Sequence, residues 1–296
     1  MTTRIQDYAD SGKDTMLNQE IYSKPPASNR LLNNGVAEVS EDRSEGALQV
    51  LRYELETFVC DGQYATGLET ILEKFLDNLG RQFEQPGVWI SGFYGSGKSH
   101  LAKMLRALWT DVTFPDGATA RSLPRLPEGI REKLKELSTL GRREGGLHAA
   151  AGKLGAGAGD RVRLALLGLL FKSRDLPEQY NQARFVLWCR DEGLLDGLKA
   201  ELASRGRTLD RELVHMYVSP HLAGALRTLR PDLGHSEADV RQTLKNQFPQ
   251  VTDVSSDELI RTIESALGQG GRLPLTLVVL DEVQQYIGSD PNKAFQ

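Results

Sequence analysis

Gly92-Phe93-Tyr94-Gly95-Ser96-Gly97-Lys98-Ser99 is the stretch on which the reading of this chain turns. It matches GxxxxGK[ST] in full, the Walker A pattern. Glycines at these points permit backbone conformations that a Cβ forbids, so successive N–H groups can turn inward around phosphate oxygens. A helix starting near Lys98 would aim the positive end of its dipole at the same place. Lys98 then reaches the β- and γ-phosphates, and the Ser99 hydroxyl binds Mg2+. The expected nucleotide-binding set is Gly92, Phe93, Tyr94, Gly95, Ser96, Gly97, Lys98 and Ser99, with His100 adjoining it. The His100 imidazole itself reads as a helix-surface group rather than a catalyst.

The flanks of this loop have the order that the motif needs. Val88-Trp89-Ile90 is a short apolar run, predicted as the strand entering the loop, and Leu101, Met104, Leu105 and Leu108 give the following helix a buried face. Further upstream, Leu48, Leu51, Leu55 and Phe58 keep helical spacing from Ala47. Thr66-x-x-Glu69 predicts a capping box for a second helix, whose stripe is Leu68, Ile71, Leu72, Phe75, Leu76 and Leu79. Residues 1–40 are polar, broken at Pro25-Pro26 and Asn33-Asn34-Gly35, and read as an irregular arm.

Downstream, 111–159 is less regular, with one helix marked by Ile130, Leu134 and Leu137. AAAGKLGAGAGD, from Ala149 to Asp160, reads as a flexible linker. Val162 to Phe171 is a strand or the start of a helix, and helical patterns then dominate to about Leu229. Ser255-x-x-Glu258 caps a helix through Leu259, Ile260, Ile263 and Leu267. Beyond Pro274, Leu275 to Leu280 has the composition of a strand buried on both faces.

That last run ends in Asp281-Glu282, so Leu277-Val278-Val279-Leu280-Asp281-Glu282 is a Walker B pattern. A parallel strand in the same sheet would deliver Asp281 to the metal ion. Glu282 would polarise the attacking water as general base. Lys98 and Asp281 are 183 positions apart, too far for a single crossover, so further elements fill the gap. The expected architecture is α/β with a parallel sheet: an N-terminal arm and helix over 1–62, a P-loop domain over 63–296, and a largely helical insertion over about 111–255.

Composition narrows the function classes. A net charge of −4 argues against a generally basic nucleic-acid coat, although 121–163 holds 10 basic and 5 acidic residues against 9 and 15 in 1–100. That basic stretch reads as a charge-mixed helical face, with a phosphate-tracking surface as the alternative. Cys60 and Cys189 form no CxxC and have no histidine cluster nearby, which fits two free thiols in a reducing cytosol. The first residues lack the apolar stretch of a secretory signal, and the longest apolar run, Leu164 to Phe171, is far short of the ~20 residues that cross a bilayer. A soluble, cytoplasmic protein is expected. GAGAG at 155–159 is not a dinucleotide fingerprint, because Asp160 stands where the third glycine belongs. Asn292-Lys293-Ala294-Phe295 has Phe where the guanine-reading NKxD pattern has aspartate, which favours ATP over GTP. Gln284 and Gln285 read as strand-exit polarity or as groups that touch the site.

GVWISGFYGSGKSHLAKMLRALW (87–109) together with LPLTLVVLDEVQQYIG (273–288) resembles the large P-loop ATPases of BREX (bacteriophage exclusion) systems, of the BrxC/PglY type. LKELSTLGRREGGLHAAAGKLGAG (134–157), LPEQYNQARFVLW (176–188) and MYVSP (216–220) resemble the PglY-like branch. The resemblance implies a cytoplasmic ATPase of the AAA+-related, additional-strand class that works with other BREX components against phage DNA replication. It gives Lys98 and Ser99 the phosphate and magnesium roles, Asp281 the metal role and Glu282 the catalytic role. Family members are much longer and place a sensor strand, a lid and an arginine finger after this point. The chain therefore reads as the C-terminally truncated N-terminal portion, with ATP and Mg2+ as cofactors and little turnover on its own. DNA contact and oligomerisation stay open, as do two other readings: a nucleotide-holding scaffold or sensor, and a phosphotransferase. With no aspartate to accept from a guanine edge, ATP is expected to displace a fluorescent nucleotide at least as well as GTP; a marked GTP preference would contradict this.

Overall fold

A computed structural model describes residues 37, 39–79, 87–154, 161–268 and 270–287. The N-terminal arm, GAGAG and Asn292-Lys293-Ala294-Phe295 thus lie almost wholly outside the described residues. Among the described residues, four helices precede the first strand. α1 (Glu45–Glu56) starts where the Ser44 hydroxyl accepts from the Ala47 N–H. α2 (Gly62–Asn78) buries Leu68 and Leu72 of the expected stripe. α3 (Lys98–Thr110) buries Leu101, Met104, Leu105 and Leu108 as their spacing requires. α4 (Glu128–Arg143) buries Ile130, Leu134 and Leu137.

The α2 start differs from the expected capping box. The helix opens at Gly62, five residues before the start that a Thr66 cap requires, and Asp61 makes no side-chain cap. The Thr66 hydroxyl instead donates 3.0 Å back to the Gly62 carbonyl, so it is used inside the helix and cannot cap.

Leu55, Leu68, Leu72, Met104, Trp109, Ile130, Leu134 and Leu137 share one core, closed by an edge-on Phe75–Trp109 contact at 4.6 Å. Arg121 locks α3 to α4. It donates to the last carbonyls of α3, at Leu108 and Trp109, and to Leu134 and Ser138 of α4.

β1 (Leu147–Lys153) follows, and it corrects the linker reading of Ala149–Lys153. Ala and Gly resemble linker residues in composition, yet here their smallness lets layers approach on both sides. Ala149 joins the core under α3. Ala150 packs with Leu170 and Leu267, and Ala151 with Val279 and Ala102. At Gly152 an added Cβ would lie 2.1 Å from the Leu169 side chain.

A run of helices from Val162 to Leu267 then separates β1 from β2. It contains α5 (Val162–Lys172), α6 (Tyr180–Asp191), α7 (Leu195–Ser204), α8 (Leu209–Leu213), α9 (Pro220–Leu229), a 3-10 turn (Pro231–Leu233), α10 (Glu237–Gln247) and α11 (Ser256–Leu267). The ambiguous Val162–Phe171 run is thus helix. Ser236 and Asp239 form a capping box for α10, and the expected Ser255 cap on α11 accepts from Glu258 N–H. The insertion has its own core of Phe185, Leu198, Leu202, Leu222, Leu226, Val240, Leu244 and Phe248.

β2 (Leu275–Asp281) pairs in parallel with β1, in a register that sets Ala151 against Val279 and Lys153 against Asp281. α12 (Val283–Ile287) follows. The described residues therefore form a mixed α/β fold around a small two-stranded parallel sheet.

Two expectations about strands fail, the first for want of a hydrogen-bonding neighbour and the second for want of a layer over one face. Val88-Trp89-Ile90 is not a strand: Val88 and Trp89 are exposed, and no strand among the described residues pairs with them. β2 is not buried on both faces: Val279 is buried, whereas Val278 and Leu280 are each 38% exposed. An extended apolar run stays a strand only where a neighbour takes its N–H and C=O groups, and a two-stranded sheet leaves edges without one.

The strand reading of 149–153 is directly testable. Ala150→Val adds volume where no space exists and is expected to cost about 1–3 kcal/mol, lowering the urea midpoint with an unchanged m-value. A flexible linker would leave the midpoint where it was.

Candidate functional site

The Walker A segment forms a turn over 94–97 that runs into α3. Gly95 and Gly97 have φ of 77° and 80°, left-handed values that suit glycine alone at low cost. Gly97 is further constrained by packing, because a Cβ there would lie 1.9 Å from the Tyr64 hydroxyl. Tyr64, in the first turn of α2, donates 2.8 Å to the Ser96 carbonyl and so pins the loop from above. Lys98 Nζ reaches back to the carbonyls of Gly92 (3.0 Å) and Phe93 (2.8 Å). Phe93 and Tyr94 project into solvent. His100 turns toward the Phe58 ring, 5.6 Å between centroids, and burial lowers its pKa from the usual range. Its ring thus packs against the connection between α1 and α2.

At the other motif, Asp281 ends β2 and Glu282 follows with φ of 58°, an uncommon value for a residue with a side chain. The Glu282 N–H donates 2.9 Å to Asp281 Oδ1, and its carbonyl accepts from Gln285 at the start of α12. Lys153, the last residue of β1, sets its Nζ 3.1 Å from Glu282 Oε1. Gln284 and Gln285 are exposed.

Helix direction brings the two motifs to one end of the sheet. Trp109, near the end of α3, donates its indole N–H to the carbonyl of Leu275, where β2 begins. Ala102, near the start of α3, packs with Ala151 and Val279, well along both strands. α3 thus runs antiparallel to β2. Four helical residues back from Ala102 is Lys98, and two strand residues on from Val279 is Asp281; both steps advance about 6 Å in the same direction. The glycine loop and the acidic pair therefore both lie toward the carboxyl ends of the strands, the usual ligand side of a parallel sheet.

Among the described residues no group of three His, Cys, Asp or Glu side chains is placed to hold a metal ion by itself. Ser99 and Asp281 would offer Mg2+ a hydroxyl and a carboxylate, and Mg2+ is commonly held by one or two protein oxygens with phosphate and water supplying the rest. A cavity of about 870 Å3 lies elsewhere, between α1, the later half of α3 and the start of β1. Its cations are already matched, Arg43 and Arg106 by the buried carboxylate of Glu41 and Lys103 by that of Glu54, so it carries no claim to the chemistry. Cys60 and Cys189 are free and buried, and burial pushes the Cys189 thiol up to about 12.

Neither a protein-family model nor a solved structure matches this chain. No described helix is long and apolar enough to cross a membrane.

Lys153 and Tyr64 escaped the reading of the sequence. Lys153 sits within what resembles a linker; pairing AAAGK with VVLD as neighbouring parallel strands would have exposed it. Tyr64 carries no signal in the sequence, because its position over Gly97 depends on how α2 packs.

Proposed function

We propose that this chain binds Mg-ATP through Gly92–Ser99 and hydrolyses it with Glu282 as general base, within a P-loop fold of the AAA+-related type. The observation that carries the proposal is the convergence of the glycine loop and Asp281-Glu282 at one end of the sheet, through the antiparallel course of α3. The loop's N–H groups and the α3 dipole suit the phosphates, and Lys98 exchanges its two loop carbonyls for phosphate oxygens. Ser99 and Asp281 hold Mg2+, which when bound neutralises phosphate charge. Glu282 takes a proton from water as the water oxygen bonds to the γ-phosphorus. The bond from that phosphorus to the bridging oxygen breaks, and ADP and phosphate leave. The resemblance to BREX ATPases supports a role in a phage-defence complex, in which turnover drives conformational change among the other components. A second reading, a module that holds ATP without turnover, is favoured by the contact that engages Glu282 with Lys153.

Lys98→Ala removes the cation assigned to the terminal phosphates, and backbone N–H groups do not replace its charge. ATP affinity is expected to fall at least tenfold, or ~1.4 kcal/mol; calorimetry giving unchanged affinity would sink the assignment. Glu282→Gln and Asp281→Asn are expected to fail differently despite their kinship. The first leaves ATP binding intact while phosphate release slows, and the second weakens the magnesium-dependent part of binding. Phosphate release unaffected by Glu282→Gln would leave the holding module as the better reading.

A further inference from the structure

Tyr64 lies outside both motifs, yet its hydroxyl holds one peptide of the glycine loop. It stands in the first turn of α2 and donates 2.8 Å to the Ser96 carbonyl. In a trans peptide the C=O and the following N–H point in opposite directions. With the Ser96 carbonyl turned toward α2, the Gly97 N–H faces away from it. A phosphate has no room on the α2 side, where the hydroxyl already fills the place of a Cβ at Gly97. The Gly97 N–H is thus turned to the side that remains for a ligand.

Gly97 does not fix that orientation by itself. Turning the 96–97 peptide over reverses the sign of φ at residue 97, and glycine accepts either sign. Its φ of 80° is one of two settings, and a contact from outside the loop selects it. The Tyr64 ring that makes this contact is itself held. Phe58 meets it edge-on, with centroids 6.1 Å apart, and packs in turn on His100 in the first turn of α3.

We propose that Tyr64 is a positioning residue for phosphate: its hydroxyl sets the Ser96–Gly97 peptide so that the Gly97 N–H donates to the bound nucleotide. The inference rests on the nucleotide reading above. Tyr64 acts through the loop amide and not by touching the ligand. A hydrogen bond to a charged group is worth more than one between neutral groups, so an amide already aimed at phosphate strengthens binding. An amide that first has to turn contributes less, because part of that gain is spent on ordering the peptide.

Tyr64→Phe isolates the hydroxyl, because the ring and its contact with Phe58 remain. The probe is a slowly hydrolysed fluorescent ATP analogue with Mg2+, titrated against the whole chain. Affinity is expected to fall about three- to tenfold, the loss of part of one hydrogen bond to a charged group. The accompanying signature is the Gly97 amide proton, followed by NMR. In the unaltered chain, saturating analogue is expected to move it downfield as it bonds to phosphate. In Tyr64→Phe that movement is expected to shrink. A merely structural hydroxyl would lower the urea midpoint yet leave the Gly97 movement whole. A movement of full size in Tyr64→Phe therefore overturns the inference, as does unchanged affinity, and both leave the nucleotide reading standing. Absence of binding by the unaltered chain up to millimolar analogue removes the nucleotide reading itself, and this inference with it.

Discussion

The parallel pairing of β1 with β2 is the constraint on which the rest of the structure depends. Its register sets Lys153 beside Asp281, and it requires both strand ends to open on the same side. Two strands 121 residues apart cannot pair in parallel without a crossover, and the helices α5 to α11 supply it. The pairing holds only because β1 is made of small residues. Ala149, Ala150 and Ala151 let α3 come close on one face and α5 with α11 on the other, so larger side chains there would push the layers apart.

α3 converts that pairing into a site. Its C-terminal end is tied to the start of β2 through Trp109 and to α4 through Arg121. Its N-terminal end therefore has one position available, beside the carboxyl ends of the strands. The glycine loop is held there from the opposite side by Tyr64, whose hydroxyl occupies the space that a Cβ on Gly97 would need. The charged groups that gather there are matched within the chain, Lys98 to carbonyls and Glu282 to Lys153. Under the proposed function, a nucleotide would exchange these contacts for its own rather than create them from nothing.

Much of this was legible from the residues. The helices α1, α3, α4 and α11 follow from apolar spacing, and α11 from its serine cap as well, because local periodicity and capping are short-range signals. The two motifs stand out for the same short-range reason, as contiguous runs, and the structure sets both toward one end of the sheet. What failed was long-range. AAAGK reads as linker because alanine and glycine have little strand propensity of their own, and only the layers packed on both sides make them a strand. Val88-Trp89-Ile90 reads as a strand on composition, but pairing needs a partner, and composition does not name one. Thr66 illustrates a local ambiguity, since the same hydroxyl can cap a helix or bond back within it, and the start at Gly62 decided between them. The Lys153–Glu282 contact joins residues 129 positions apart, so nothing adjacent to either announces it.

The central claim is that the backbone N–H groups of the glycine loop are a phosphate cradle. Amide hydrogen exchange resolved to single residues measures that cradle without relying on catalysis or substitution. Saturating Mg-ATP is expected to slow exchange at the amides of Gly95 to Ser99 while leaving the amides of α9 and α10, in the separate core of the insertion, unchanged. Unchanged exchange across Gly95 to Ser99, at a nucleotide concentration that alters exchange elsewhere in the chain, would contradict the account.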